Sequence, residues 1–263
     1  MRLEIFMKII AINGSPRGRN SNTNVMVTAF LEGAKKAGAI VENIFLIEKK
    51  IHPCIGCFNC WIKTPGKCVI KDDMTELAEK FYGADIVVFA TPVYVDNVSG
   101  LMKNFMDRMI VSLNPKFEKD SSGESRHTSP PGNIPKIVVI ANCGFPEQTH
   151  FQVLHLLFER IARNMGSEVI AEIYRGEGEL LTSKIVVLWP ILYYYKRLVQ
   201  KAGQEVATNL MVSSKTKTKL EKPLIPIDLY IRSANKHFSK ALVKELAKKI
   251  DEEIEDEEFD HQE

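Results

Sequence analysis

Five short apolar runs, each followed by a polar loop and a helical pattern, constrain this chain more than any other feature. They are residues 7–13, 40–47, 85–90, 136–142 and 169–174. Runs of this length, rich in Val and Ile and bounded by turn residues, read as buried strands. Strands that alternate with helices demand a parallel sheet covered by helices on both faces. The expected fold is therefore α/β, a doubly wound, five-stranded parallel sheet. Every strand in such a sheet ends on one edge, and ligands bind at that edge. Function must be sought in the loops that leave it.

The loop after the first strand runs from Gly14 to Thr23 and holds Ser15, Arg17, Ser21, Asn22 and Thr23. Asn22 or Thr23 is expected to cap a helix reaching about Ala37, with Val27, Phe30, Leu31 and Ala34 on one face. Backbone N–H groups at a helix start, with hydroxyls and an arginine nearby, suit a phosphate. The loop has neither the Walker Gly-Lys-Ser/Thr ending nor the dinucleotide glycine fingerprint.

The loop after the second strand is dense in cysteine. Four of the five cysteines, Cys54, Cys57, Cys60 and Cys68, follow the spacing C-x2-C-x2-C-x7-C. Four thiolates with three from one short run suit an iron–sulfur cluster. All-cysteine zinc sites usually separate two C-x2-C pairs by a longer gap. A redox-active or inert thiol loop stays open as a third reading. The next residues, Asp72 and Asp73, read as the start of a helix reaching about Tyr82.

The third strand runs into Thr91, Pro92, Val93, Tyr94 and Asn97, and then into an amphipathic helix whose Met102, Phe105, Met106 and Met109 are core positions. Residues 114–135 read as a mobile surface loop. The fourth strand ends at Cys143 and Gly144, ahead of a helix that Gly166 terminates. Residues 176–250 form a mostly helical C-terminal extension, with a helix from Trp189 to about Val212, a basic loop at 215–219 and a last helix from about Leu229 to Glu253. Residues 251–263 carry nine acids and neither Lys nor Arg, so the remainder carries +11 against a total of +2. That tail reads as a solvated, frayed end. A basic body favours anionic partners.

The phosphate loop, two turns able to border a flat ring and the cysteine loop all leave the same edge. FMN fits this set better than a dinucleotide. The set resembles the NAD(P)H-dependent FMN reductases of the flavodoxin-like superfamily, and within them the iron–sulfur flavoproteins. The resemblance lies in Gly14-Ser15-Pro16-Arg17 with Ser21-Asn22-Thr23, in the four-cysteine run with Asp72-Asp73-Met74, in Thr91-Pro92-Val93-Tyr94 with Lys103, Asp107 and Arg108, and in Cys143-Gly144-Phe145-Pro146-Glu147. It implies a flavodoxin-like domain over 1–175, non-covalent FMN and a homodimer or dimer of dimers. It implies that Ser15, Arg17, Asn22 and Thr23, with Ser21 in the same loop, hold the phosphate. Pro92, Val93, Tyr94 and Asn97 would border the ring, with Cys143 and Gly144 at its far side. The four-cysteine run would bind a [4Fe–4S] cluster and face an FMN across a subunit interface.

The expected activity couples one-electron, ferredoxin-like carriers to two-electron flavin chemistry. A cluster-free NAD(P)H-dependent FMN or quinone reductase is the alternative, and a non-catalytic flavin-binding electron carrier the second. No side chain is required as a catalytic acid or base. The beginning of the chain lacks the apolar run of a secretory leader, and no stretch is long enough to span a bilayer, so the cytoplasm and no membrane partner are expected. Nucleic-acid binding would rest on net charge alone and is not expected.

Overall fold

A computed structural model describes residues 6–128, 132 and 134–260, the last fifteen of them by backbone alone. In chain order the elements are β1 (Lys8–Asn13), α1 (Asn22–Lys36), β2 (Ile40–Phe45), α2 (Asn59–Ile62), α3 (Met74–Tyr82), β3 (Ile86–Pro92) and α4 (Gly100–Arg108). Then come β4 (Phe117–Lys119), β5 (Ser125–His127), β6 (Lys136–Asn142), α5 (Gln152–Met165), β7 (Val169–Arg175), α6 (Trp189–Asn209), α7 (Ser214–Leu220) and α8 (Ile227–Asp260).

The five expected strands form one sheet in the order β2-β1-β3-β6-β7, and every neighbouring pair is parallel. This is the flavodoxin-like strand order, with the chain reversing direction across the sheet between β1 and β3. All seven β3 residues are buried, as a strand covered on both faces requires. Alternate residues go to opposite sides. Ile10, Ile12, Val87, Phe89, Ile137 and Val139 pack with Leu77 and Phe81 of α3, Met102 and Phe105 of α4, and Leu154 and Phe158 of α5. Fully burying one such side chain contributes roughly 1.5–3 kcal/mol.

The other face is covered by α1, and α6 folds back onto α1. Their crossing is close enough that a Cβ at Gly33 would overlap the carbonyl of Gln200, and one at Gly203 the carbonyl of Phe30. Residues 176–222 of the C-terminal extension thus lie in the same compact unit as the sheet, while residues 223–263 form a second unit. In that second unit α8 starts at Ile227, and the acidic residues 251–260 continue it as helix. The last three residues of the acidic tail lie outside the described residues.

Several local expectations are corrected. The α1 cap is Ser21, whose extended backbone lets Oγ accept from Asn24 N; Asn22 and Thr23 occupy the first turn instead. Within 114–135 the chain forms a β4–β5 hairpin. Asp120 Oδ1 accepts from the N–H groups of Ser122 and Glu124 and so shapes the turn. Its two three-residue strands are too short to produce a periodic signal. Residues 215–219 are helical, because Ser213 caps α7 and Glu205 accepts from the hydroxyls of Ser213 and Thr216.

Candidate functional site

Loops from the carboxyl edge are cross-linked by side chains at the first turn of α1. Ser21 Oγ donates to Gly18 O at 2.7 Å while accepting from Asn24 N. Thr23 Oγ1 accepts from Asn142 Nδ2 at 2.8 Å, joining the first loop to the end of β6. Asn22 Oδ1 accepts from Thr182 Oγ1 at 2.7 Å, joining it to the loop after β7. Ser99 Oγ, the cap of α4, donates to Gly14 O at 2.6 Å. Ser15, Ser21, Asn22 and Thr23 are all buried.

The geometry of a helix start leaves the N–H groups of Asn22 and Thr23 without intrahelical acceptors. Asn13, at the end of β1, has a fully buried Nδ2 with no hydrogen-bond partner. Open donors at a positive helix end fit a phosphate. Arg17 is exposed and pairs with Glu179 at 3.4 Å.

Beside this loop, Pro92 is buried, and Val93 N donates to Asn142 O. Tyr94 and Asn97 close a tight turn by exchanging backbone hydrogen bonds. Val95 and Asp96 at its tip have φ of 49° and 55°, a backbone strain uncommon for a β-branched residue and typical of functional loops. Tyr94 and Asn97 are exposed. Cys143 is buried, and burial pushes its thiol up to about 11. Its Sγ donates to Phe145 O, and Gly144 next to it is exposed.

The cysteine loop is held at its neck. Asp73 Oδ2 accepts from Lys50 N and Asp72 Oδ2 from His52 N. Helix α4 supplies the other anchors. Asn104 Nδ2 donates to Ile51 O, and Arg108 Nη1 donates to both His52 O and Asp72. Trp61 Nε1 donates to Ile110 O, and the Trp61 ring lies edge-on to His127 of the hairpin. Cys60 sits on α2 and is buried, Cys68 is half-buried, and Cys54 and Cys57 are exposed. All four line one small pocket with Arg108 and several apolar side chains. Burial pushes the Cys60 thiol up, and the nearby Cys68, Cys57 and Cys54 add to the effect. An all-sulfur donor set around one pocket fits an iron–sulfur cluster. Among the described residues, no three His, Cys, Asp or Glu side chains are grouped so as to hold a single metal ion.

Residues 7–123 match the family model of the NADPH-dependent FMN reductases. That match covers a little under half of this chain. Over 142 residues the chain is 38% identical to an iron–sulfur flavoprotein of Archaeoglobus fulgidus, covering 54% of this chain and 58% of that protein. Over 102 residues it is 42% identical to an iron–sulfur flavoprotein of Methanocaldococcus jannaschii, covering 39% and 51%. The chain spans only about half the length of these curated relatives. An FMN-dependent NADH-azoreductase of Bacillus anthracis, solved with FMN, shares the fold at a TM-score of 0.57 and 18% identity, over 77% of this chain and 100% of that one. No helix among the described residues is long and apolar enough to cross a membrane.

Reading the sequence missed five contributors: Asn13, Ser99, Asn142, Glu179 and Thr182. It gave Asp72 a place in the motif of the resemblance and otherwise only the role of a helix start. The Asp72 side chain is in fact fully buried and paired with Arg108. Burial opposes its ionisation, but the guanidinium and the N–H groups of His52 and Met74 outweigh that and hold the carboxyl below its ordinary range. The only local hint was a polar residue repeated at the end of the cysteine run.

Proposed function

We propose that this chain is an FMN-dependent oxidoreductase of the iron–sulfur flavoprotein type. FMN would be held by Ser15, Arg17, Ser21, Asn22 and Thr23, and a [4Fe–4S] cluster by Cys54, Cys57, Cys60 and Cys68. The observation that carries this reading is four thiols lining one largely apolar pocket in a stretch that matches the model of the NADPH-dependent FMN reductases. The names of the relatives support it. Bound FMN supplies two-electron chemistry with single-electron release, and a cluster supplies one-electron exchange.

The chain's own residues bind, orient and shield. The first turn of α1 offers its N–H groups to the phosphate. Arg17 gives up only a weak, exposed ion pair to join them. Pro92, Val93, Tyr94, Asn97 and Gly144 border the ring. Cys143, with its thiol raised to about 11, is a neutral wall rather than a thiolate near pH 7. NAD(P)H and ferredoxin-like carriers are the proposed electron partners. A homodimer or dimer of dimers would set each cysteine loop against a neighbour's flavin. The cytoplasm is the proposed compartment.

A cluster-free NAD(P)H-dependent reductase is the second reading, and the exposure of Cys54 and Cys57 favours it. Iron and flavin stoichiometry of anaerobically purified protein, with visible and EPR spectra, separates the two. About four irons and one FMN per chain are expected. FMN with iron near zero overturns the cluster and leaves the second reading. A protein that takes up no FMN overturns both.

A further inference from the structure

Among the described residues that line the cysteine pocket, Arg108 brings the one side chain that is charged at neutral pH. It is 2% exposed and its partner Asp72 is 0% exposed. Both terminal nitrogens of the guanidinium are engaged. Nη1 donates to His52 O at 2.7 Å and to Asp72 Oδ2 at 2.6 Å. Nη2 donates to Asp72 Oδ1 at 3.1 Å and to Cys68 Sγ at 3.4 Å. A bidentate carboxylate fixes the plane of an arginine, so the remaining N–H is aimed rather than free. Helix α4 cannot easily yield, because Met102 and Phe105 on it are fully buried. Ile55, Val69, Ile70, Ile110 and Val111 complete much of the wall, and a charge among apolar side chains acts strongly at short range.

We propose that Arg108 positions and tunes the cysteine site: it orients Cys68 and raises the reduction potential of a cluster bound there, while Asp72 opposes it. This rests on the cluster reading above. A cluster held there would take one electron from a one-electron, ferredoxin-like carrier, which is oxidised by one electron, and would gain, with its sulfurs, one negative charge with no bond made or broken in the chain. A cation donating to one of those sulfurs stabilises the reduced form, because sulfur hydrogen bonds and net charge set cluster potentials. The Asp72 carboxylate lies behind the guanidinium, and its negative charge partly cancels that effect.

The two charges therefore make predictions of opposite sign. Wild type, Arg108→Gln, Arg108→Lys and Asp72→Asn would be titrated anaerobically with dithionite and followed by EPR. Iron and FMN would be counted in each sample. Arg108→Gln should lower the cluster midpoint potential and Asp72→Asn should raise it. Arg108→Lys, which keeps the charge but loses the fork, should lower it by less than Arg108→Gln. FMN content should not change. Where Arg108→Gln fails to fold or to hold iron, Arg108→Lys against Asp72→Asn still gives the opposite-sign test. Shifts of the same sign, or none with iron retained, overturn the tuning role while leaving the cluster reading intact. A wild-type protein without iron overturns the cluster reading, and the tuning role with it.

Discussion

The loop after β1 and the cysteine loop after β2 leave neighbouring strands of one sheet and are built on different plans. The first is knitted along its length. Ser21, Asn22 and Thr23 are buried, and each hydrogen-bonds either its own loop or another loop of the edge. The second is tied at its neck by Asp72, Asp73 and Arg108, and residues 51–58 between these ties form neither helix nor strand. A loop already held by the fold binds its ligand with little ordering cost. A loop whose cysteine-bearing stretch at 51–58 is held mainly at the neck would gain its remaining order from ligation, which would couple metal binding to loop folding.

The largest expected effect tests that coupling. Stripping iron from the loaded protein with a chelator should raise amide exchange across residues 53–71 by roughly tenfold or more and leave 14–23 little changed. Equal changes in both loops, read by mass spectrometry, would break the contrast. A smaller effect sharpens the other side. Ser21→Ala removes the α1 cap and should cost about 1 kcal/mol in urea unfolding. It should also weaken FMN binding while sparing riboflavin, which has no phosphate; equal loss of both would mean that Ser21 does not act on the phosphate.

The smallest effect concerns the hairpin that flanks the cysteine loop. The Ser122 hydroxyl comes first among the groups that lower Asp120 to about 2, with the Glu124 and Ser122 N–H groups and Arg163 adding to it. A depressed carboxyl stabilises the fold above its unfolded pKa, near 4, and loses that contribution as pH falls towards about 2. Amide exchange of residues 125–127, which pair with β4, should therefore rise over that window. Asp120→Asn should flatten the profile. An unchanged profile in the variant would mean that the turn does not depend on this charge.

How much of this was legible beforehand depends on the range of each interaction. Strand runs, the Gly166 terminator and the buried face of α4 follow from the order of apolar and turn residues, and each appears where that order puts it. The Ser21 cap was misplaced by one or two residues, because several capping side chains stand in a row and only the backbone angle chooses among them. The hairpin was hidden by its Ser- and Gly-rich composition. Glu179 and Thr182 were out of reach altogether, since Thr182 meets Asn22 across 160 positions of chain.

By itself, the sequence determined the parallel sheet and the spacing of the four thiols, because both depend on neighbours a few residues apart. Only the tertiary structure decided what surrounds those thiols. Arg108 reaches Asp72 over 36 positions and Cys68 over 40, and no local pattern encodes such a meeting. It arises because α4 packs against the sheet through its apolar face, which sets the arginine at the helix end against the neck of the cysteine loop. Burial then makes the ion pair and the sulfur contact necessary, since a guanidinium withdrawn from water must find partners.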